Sequence, residues 1–126
     1  MSSSQIQHTL PEKEIVLAKA LKNLKDAWGL TGVELSAIVG VDSSVISRLD
    51  KTSVFHPEKK QGQLALMLIR IYRSLGAFLG DRMSLQKDWL RAEHIVFNQS
   101  PIEAMKTPEG LAHVVMYLDA MRGAEG

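Results

Sequence analysis

Histidines are the residues of this chain best suited to acid–base or metal chemistry, and there are four: His8, His56, His94 and His113. A neutral imidazole can bind zinc or accept a proton near neutral pH. A zinc site on a helix needs ligands about one turn apart, and no two of these histidines have that spacing. The chain has no cysteine, which excludes thiolate ligands, disulfides and a cysteine nucleophile. We therefore expect neither a metal site nor a catalytic base.

Serine and glycine patterns give no support for catalysis either. No serine lies in a nucleophile-elbow sequence, and no glycine-rich loop could bind a phosphate. Gly29, Gly32 and Gly40 stand where we expect helices to begin or end. The sequence therefore predicts a binding protein that needs no cofactor, not an enzyme.

Short polar and basic side chains after Gly40 suggest a different chemistry, contact with nucleic acid. The stretch from residue 35 to 49 has a small residue, Ser36, and a glycine four positions later. Ile46 and Leu49 follow that glycine by six and nine positions, where a second helix would face inward. These spacings are typical of a helix-turn-helix, whose second helix lies in the major groove of DNA.

This stretch resembles the Xre-type DNA-binding domains of phage-repressor-like regulators, and the resemblance implies which side chains face DNA. Arg48 could read guanine or hold a phosphate, and the serines could donate to phosphates or base edges. The helix start at Thr31 could bind a phosphate through backbone N–H groups. The candidate DNA-binding residues are Thr31, Ser43, Ser44, Ser47, Arg48 and Lys51. The alternative is a capped helix in a small bundle, with Arg48 as a solvated charge.

The charge balance limits how such a protein could bind DNA. Formal net charge is +1, and neither half of the chain is strongly basic. Strong non-specific attraction to nucleic acid is therefore not expected. Any DNA binding would depend on a few well-placed cations, and dimerisation would double their number.

The apolar periodicity is helical throughout, so we predict an all-α fold. A small helix-turn-helix domain is expected over residues 11–53 and a C-terminal helical domain over residues 63–126. Pro11 should open the first helix and Gly29 end it, while Thr31 and Asp42 should cap the next two. Residues 52–63 are predicted to be an inter-domain linker, followed by a long helix over 64–79 that Gly80 ends. Ser84 should cap a helix to about residue 92.

Two helix starts lie seven residues apart near the C terminus. Ser100 is a good N-cap, Pro101 suits the first helical position, and Glu103 predicts a capping box. Thr107 and Pro108 repeat the pattern. A short helix should therefore lead directly into a longer one with these core residues: Leu111, Val114, Val115 and Leu118.

This pattern, preceded by Lys87-Asp-Trp89-Leu90, resembles the toxin-binding domain of the Xre/MbcA/ParS antitoxin family over roughly residues 64–123. The resemblance implies a type II antitoxin that inhibits a RES-domain toxin, which consumes or transfers NAD. It also implies that the C-terminal end reaches toward the toxin's active-site pocket. The implied toxin-binding residues are Met116, Tyr117, Asp119, Met121, Arg122 and Glu125. The family usually has a glycine pair that is missing from residues 93–99, so contacts from that loop are not carried over.

On this resemblance we expect a cytoplasmic homodimer that binds operator DNA and does not enter a membrane. The first eight residues lack the basic region and apolar run of a secretory signal. The most apolar segment, residues 64–79, contains Arg70 and Arg73 and is too short to span a bilayer comfortably. One alternative is a stand-alone helix-turn-helix transcription regulator with a C-terminal dimerisation domain. Another is an interaction adaptor with a degenerate helix-turn-helix.

Overall fold

The computed structural model describes residues 12–51 and 55–125 of the chain, and these residues are mainly helical. The one isolated bridge among them pairs His94 with Gln99. The helices are α1 (Glu12–Trp28), α2 (Gly32–Val39), α3 (Ser43–Ser47), α4 (Lys60–Leu79), α5 (Met83–Arg91), α6 (Pro101–Ala104) and α7 (Pro108–Glu125). The all-α prediction is confirmed. The predicted helix start at Pro11 lies outside the described residues.

Helices α2 and α3 form the predicted helix-turn-helix. The Thr31 hydroxyl accepts from the Glu34 N–H at 3.0 Å, and the Glu34 carboxylate accepts from the Thr31 N–H at 3.0 Å. This reciprocal capping box fixes the start of α2. Gly40 ends the helix with φ of 74°, and its N–H donates to the Ser36 carbonyl at 2.9 Å. A side chain with a Cβ would be strained at that angle, so the glycine determines the tight turn.

Helix α3 ends at Ser47, so Leu49, which was expected on the inward side of the second helix, follows it in a turn. Asp42 occupies the N-cap position, but its side chain makes no cap hydrogen bond. The helix consists of serines and β-branched residues, which have low helix propensity. Residues 48–51 therefore form turns, and packing of Ile46 and Leu49 in the core holds the segment in place.

Helix α4 begins at Lys60, inside the predicted linker, so the linker prediction is wrong for residues 60–63. Phe55 is buried in the core, and Gly62 is buried against the preceding turn. A Cβ on Gly62 would collide with the carbonyl oxygen of His56. The chain therefore folds back tightly at this joint, which requires glycine. Residues 52–54 of the predicted linker lie outside the described part.

Helix α4 is the centre of the fold, because α1, α2, α5 and α7 all pack against it. Leu68, Ile71 and Leu75 have no measurable exposure. One continuous core includes buried residues from both the helix-turn-helix and the C-terminal helices. The halves therefore share a core, and the domain limits at residues 11–53 and 63–126 remain a prediction. None of the helices in the described ranges has the length and apolarity needed to cross a bilayer.

The helices α6 and α7, which follow each other closely, have the predicted N-terminal caps with one difference. The Ser100 hydroxyl accepts from the Glu103 N–H at 3.2 Å, and the Thr107 hydroxyl accepts from the Gly110 N–H at 3.0 Å. The predicted capping box at Ser100 has only this serine half, because the Glu103 carboxylate pairs with Lys106 at 2.7 Å. Helix α5 begins at Met83 with Arg82 as N-cap, so the predicted Ser84 cap is wrong.

Candidate functional sites

A shallow depression of about 550 Å³ lies where α1, α2 and α3 meet. It brings together four of the six predicted DNA-binding residues: Thr31, Ser43, Ser44 and Ser47. Arg48 and Lys51 do not line it, because both lie exposed in the turns after α3. The helix-turn-helix therefore presents a concave surface that contains several hydroxyl groups and has cations beside it.

The donors in this depression differ in availability. Both the N–H and the hydroxyl of Thr31 are engaged in the capping box. Ser47 donates its hydroxyl to the Ser44 carbonyl at 2.8 Å. Within the described residues, the Ser43 and Ser44 hydroxyls make no hydrogen bond, so both can contact a ligand.

Sequence reasoning missed two cations of the same depression, Lys22 and Lys25 on α1. Lys22 pairs with Asp26 at 2.7 Å, and this hydrogen bond raises the pKa of Lys22. Asp50 also lines the depression and reduces its positive charge. The signal in the sequence was the series Lys19, Lys22 and Lys25, because residues three apart share a helix face.

Two polar links join α1 and α2 to α5. Arg91 on α5 donates from Nη1 and Nη2 to the Glu34 carboxylate, at 2.5 and 2.9 Å. The guanidinium hydrogen bonds lower the pKa of Glu34 to about 2. The second link is buried: Trp28 Nε1 donates to Gln86 at 2.9 Å, and Gln86 donates to the Gly80 carbonyl at 2.9 Å. The start of α2 and the end of α1 are thereby held in one arrangement with α5.

The predicted toxin-binding residues lie on different sides of α7. Met116 faces outward and is 68% exposed, whereas Tyr117 and Met121 are half-buried. Asp119 pairs with Arg70 on α4 at 2.7 Å. The six positions therefore do not form one continuous face of the helix.

The end of α7 lies near α4. Arg122 is exposed, and its Nη1 donates to the buried Ser74 hydroxyl at 3.3 Å. Arg122 also lines an apolar groove of about 780 Å³ between α1 and α4, together with Arg70 and Arg73. Glu125 ends α7, and its side chain lies outside the described part of the chain.

The loop between α5 and α6 packs on α7 through a cluster of aromatic rings, which sequence reasoning did not find. The Phe97 ring lies 5.1 Å from the His113 ring and 5.5 Å from the Tyr117 ring, measured between centroids. Trp89 on α5 contacts the same phenylalanine at 6.4 Å. These rings come from three separate elements, so spacing along the sequence could not reveal the cluster.

One histidine does meet two carboxylates in the folded chain. His56 Nδ1 lies 3.3 Å from Glu14 and 4.0 Å from Glu58, and the three ligand atoms lie within 4.8 Å of one another. Such a set could bind a divalent cation, although the His56 and Glu58 side chains are exposed. The spacing argument missed the cluster because Glu14 lies 42 residues before His56.

Comparison with known families matches both halves of the chain. A model of the antitoxin Xre-like helix-turn-helix domain matches residues 10–70. A model of the antitoxin Xre/MbcA/ParS C-terminal toxin-binding domain matches residues 74–124. No curated protein matches the sequence. The boundary between the two matches falls within α4, the helix that both halves share.

Proposed function

This chain belongs to the Xre/MbcA/ParS antitoxin family, and we propose that it neutralises a RES-domain toxin by direct binding and represses its own operon. The observation that carries the proposal is the match of a toxin-binding domain to residues 74–124, directly after a helix-turn-helix. The toxin would consume or transfer NAD, while the antitoxin would act by occupying the toxin's cleft. The antitoxin therefore needs no catalytic residue of its own.

The toxin-binding part of the proposal is supported by the outward side of α7. Met116 is exposed, and methionine adapts well to a partner surface. Removing all of α7 would also remove buried Leu111, Val114 and Leu118, so that deletion would unfold the protein. A variant that ends at Arg122 avoids this problem, because it lacks only the last four residues.

The test is rescue of growth when each variant is co-expressed with the toxin. We expect the wild type to rescue growth, and both the Arg122-terminated variant and Met116→Glu to rescue poorly. Glu109→Gln, at an exposed position near the start of α7, is the matched control and should rescue fully. If the shortened variant and Met116→Glu both rescue fully, the proposed C-terminal contact is wrong.

The DNA-binding part is supported by the depression at the helix-turn-helix. Its two available serine hydroxyls can contact phosphates, and Lys25 lies on its rim. Binding to the upstream region of the operon can be measured by fluorescence anisotropy over a salt series. Lys25→Ala should reduce the slope of log binding constant against log salt concentration by about 1 in magnitude. Arg48→Ala should weaken binding about tenfold. Arg82→Ala, in the C-terminal half, is the control and should bind like the wild type. If the wild type shows no specific binding, the proposal that the protein represses its operon is wrong.

We also propose that the protein is a cytoplasmic homodimer, because a two-fold protein matches a palindromic operator. Support comes from the α1–α4 groove, where Val16 and Leu66 remain exposed. Light scattering should give a dimer mass for the wild type and a monomer mass for Leu66→Glu. A monomeric wild type at micromolar concentration would contradict the proposal.

The alternative is a stand-alone regulator whose C-terminal half serves only for dimerisation. The apolar groove is the observation that favours it, because self-association could use that surface without a toxin. A RES-type toxin gene next to this one, and co-purification of its product, would favour the antitoxin. Purification of this chain without a bound partner protein would favour the regulator.

A further inference from the structure

The loop between α5 and α6 displays two aliphatic side chains to solvent. Ile95 is 88% exposed and Val96 is 42% exposed. Single apolar residues on a surface need no explanation, so exposure alone carries no argument. Residues 94–102 contain no Asp, Glu, Lys or Arg, however, and charge depletion is typical of the centre of a protein interface.

The loop is held in one conformation by its own hydrogen bonds. The His94 N–H donates to the Gln99 carbonyl at 3.0 Å, and the Asn98 N–H donates to the His94 carbonyl at 2.9 Å. The Val96 N–H donates to the His94 ring at 3.2 Å. Asn98 has a φ of 57°, a left-handed conformation that asparagine tolerates better than most residues. The turn therefore fixes the backbone that carries Ile95.

Aromatic packing holds this turn on the rest of the domain. The buried Phe97 ring lies against His113 and Tyr117 of α7, and the His94 ring lies 5.1 Å from Tyr117. Ile95 and Val96 therefore project from a loop that is fixed by hydrogen bonds and by aromatic packing.

We infer that Ile95 and Val96 form a preorganised docking surface for an uncharged apolar pocket on the toxin. The inference rests on the proposed function, since it takes the toxin as the partner. A rigid surface loses little conformational freedom on binding, so its apolar contacts contribute more fully to affinity. Both residues lie within the span that matches the toxin-binding domain. This surface is separate from the C-terminal tip and adds a second point of contact.

The test is the affinity for the toxin encoded in the neighbouring reading frame, measured with purified full-length proteins by calorimetry. Ile95→Asp should weaken binding at least about 30-fold, as expected for an interface hot spot. Ile15→Asp is the matched control, because Ile15 is an exposed isoleucine on α1, outside the toxin-binding span. The affinity of this control for the toxin should be within about twofold of the wild-type affinity. Thermal unfolding should show that both variants are folded.

The outcomes separate this inference from the proposed function. If the wild type binds the toxin and Ile95→Asp binds within about threefold of it, the docking surface is wrong and the antitoxin proposal stands. If the wild type does not bind the toxin, both are wrong. If both aspartate variants weaken binding equally, the effect is not specific to the loop and the inference is again overturned.

Discussion

The ion pair between Glu34 and Arg91 provides a direct test of how the two halves of the protein are joined. Two guanidinium nitrogens donate to the Glu34 carboxylate, which also accepts from the Thr31 N–H in the capping box. Glutamine can still accept the Thr31 hydrogen bond, because capping boxes use Glu or Gln. Glu34→Gln therefore keeps the helix cap, but it removes the negative charge and the acceptor for Arg91 Nη1.

The size of the effect follows from the pKa of Glu34, which the Arg91 hydrogen bonds lower from 4.5 to about 2. At about 1.36 kcal/mol per pKa unit, the upper limit is roughly 3.4 kcal/mol. The Arg91 side chain is 44% exposed, so solvent screening reduces the expected free energy to about 1–2 kcal/mol. We expect Glu34→Gln to lower the Tm at pH 7 by about 3–10 °C.

The pH dependence has a definite sign. A carboxyl group with a lowered folded-state pKa stabilises the protein fully above its unfolded pKa. This contribution falls as the pH drops from about 4.5 toward about 2, where the folded carboxylate also becomes protonated. The stability difference between wild type and Glu34→Gln should therefore be largest at pH 5–7 and shrink by pH 3.

The measurement is urea unfolding of the wild type, Glu34→Gln, Arg91→Met and the double variant at pH 7, 5, 4 and 3. The double-mutant cycle should give a coupling of about 1–2 kcal/mol at pH 7. The control is Asp119→Asn, which breaks the exposed pair with Arg70 and should change stability by less than about 1 kcal/mol. A coupling below about 0.3 kcal/mol, or a difference that does not shrink with pH, would refute the reasoning.

Two further predictions concern packing. Gly62→Ala should destabilise the protein by at least about 2 kcal/mol, because its Cβ meets the backbone of His56. Gly123→Ala, with no atom near its Cβ, should have no harmful effect in thermal melts, and equal effects of the two would contradict the argument. Gln86→Leu should cost about 2–3 kcal/mol in urea unfolding, because it leaves Trp28 Nε1 buried without an acceptor. A stability equal to that of the wild type would show that this bond is not needed.

The sequence predicted the parts of the fold that depend on local chemistry. Thr31, Ser100 and Thr107 cap helices because their hydroxyls reach N–H groups three residues away. Gly40 adopts a positive φ in the helix-turn-helix turn, as its position indicated. Local signals failed where two interactions competed for one group. The Glu103 carboxylate pairs with Lys106 and does not complete a capping box.

The candidate sites were predicted only in part. Ser43, Ser44 and Ser47 were found in one depression because they are neighbours on α3, and the turn at Gly40 brings Thr31 beside them. Lys25 joins them from α1 only when the helices pack, so the helix-turn-helix pattern alone did not reveal it. The role of each residue at these surfaces stays a prediction.

The sequence by itself determined the helical fold, the tight turn at Gly40 and the membership of both halves in one antitoxin family. It also determined the hydroxyl caps at Thr31, Ser100 and Thr107. The tertiary structure alone decided that Phe55 enters the core and that Glu34 meets Arg91. It also decided that the loop carrying Ile95 is fixed on α7. The physical reason is distance along the chain: caps and turns depend on neighbours within four residues, whereas these contacts join groups that only packing around α4 brings together.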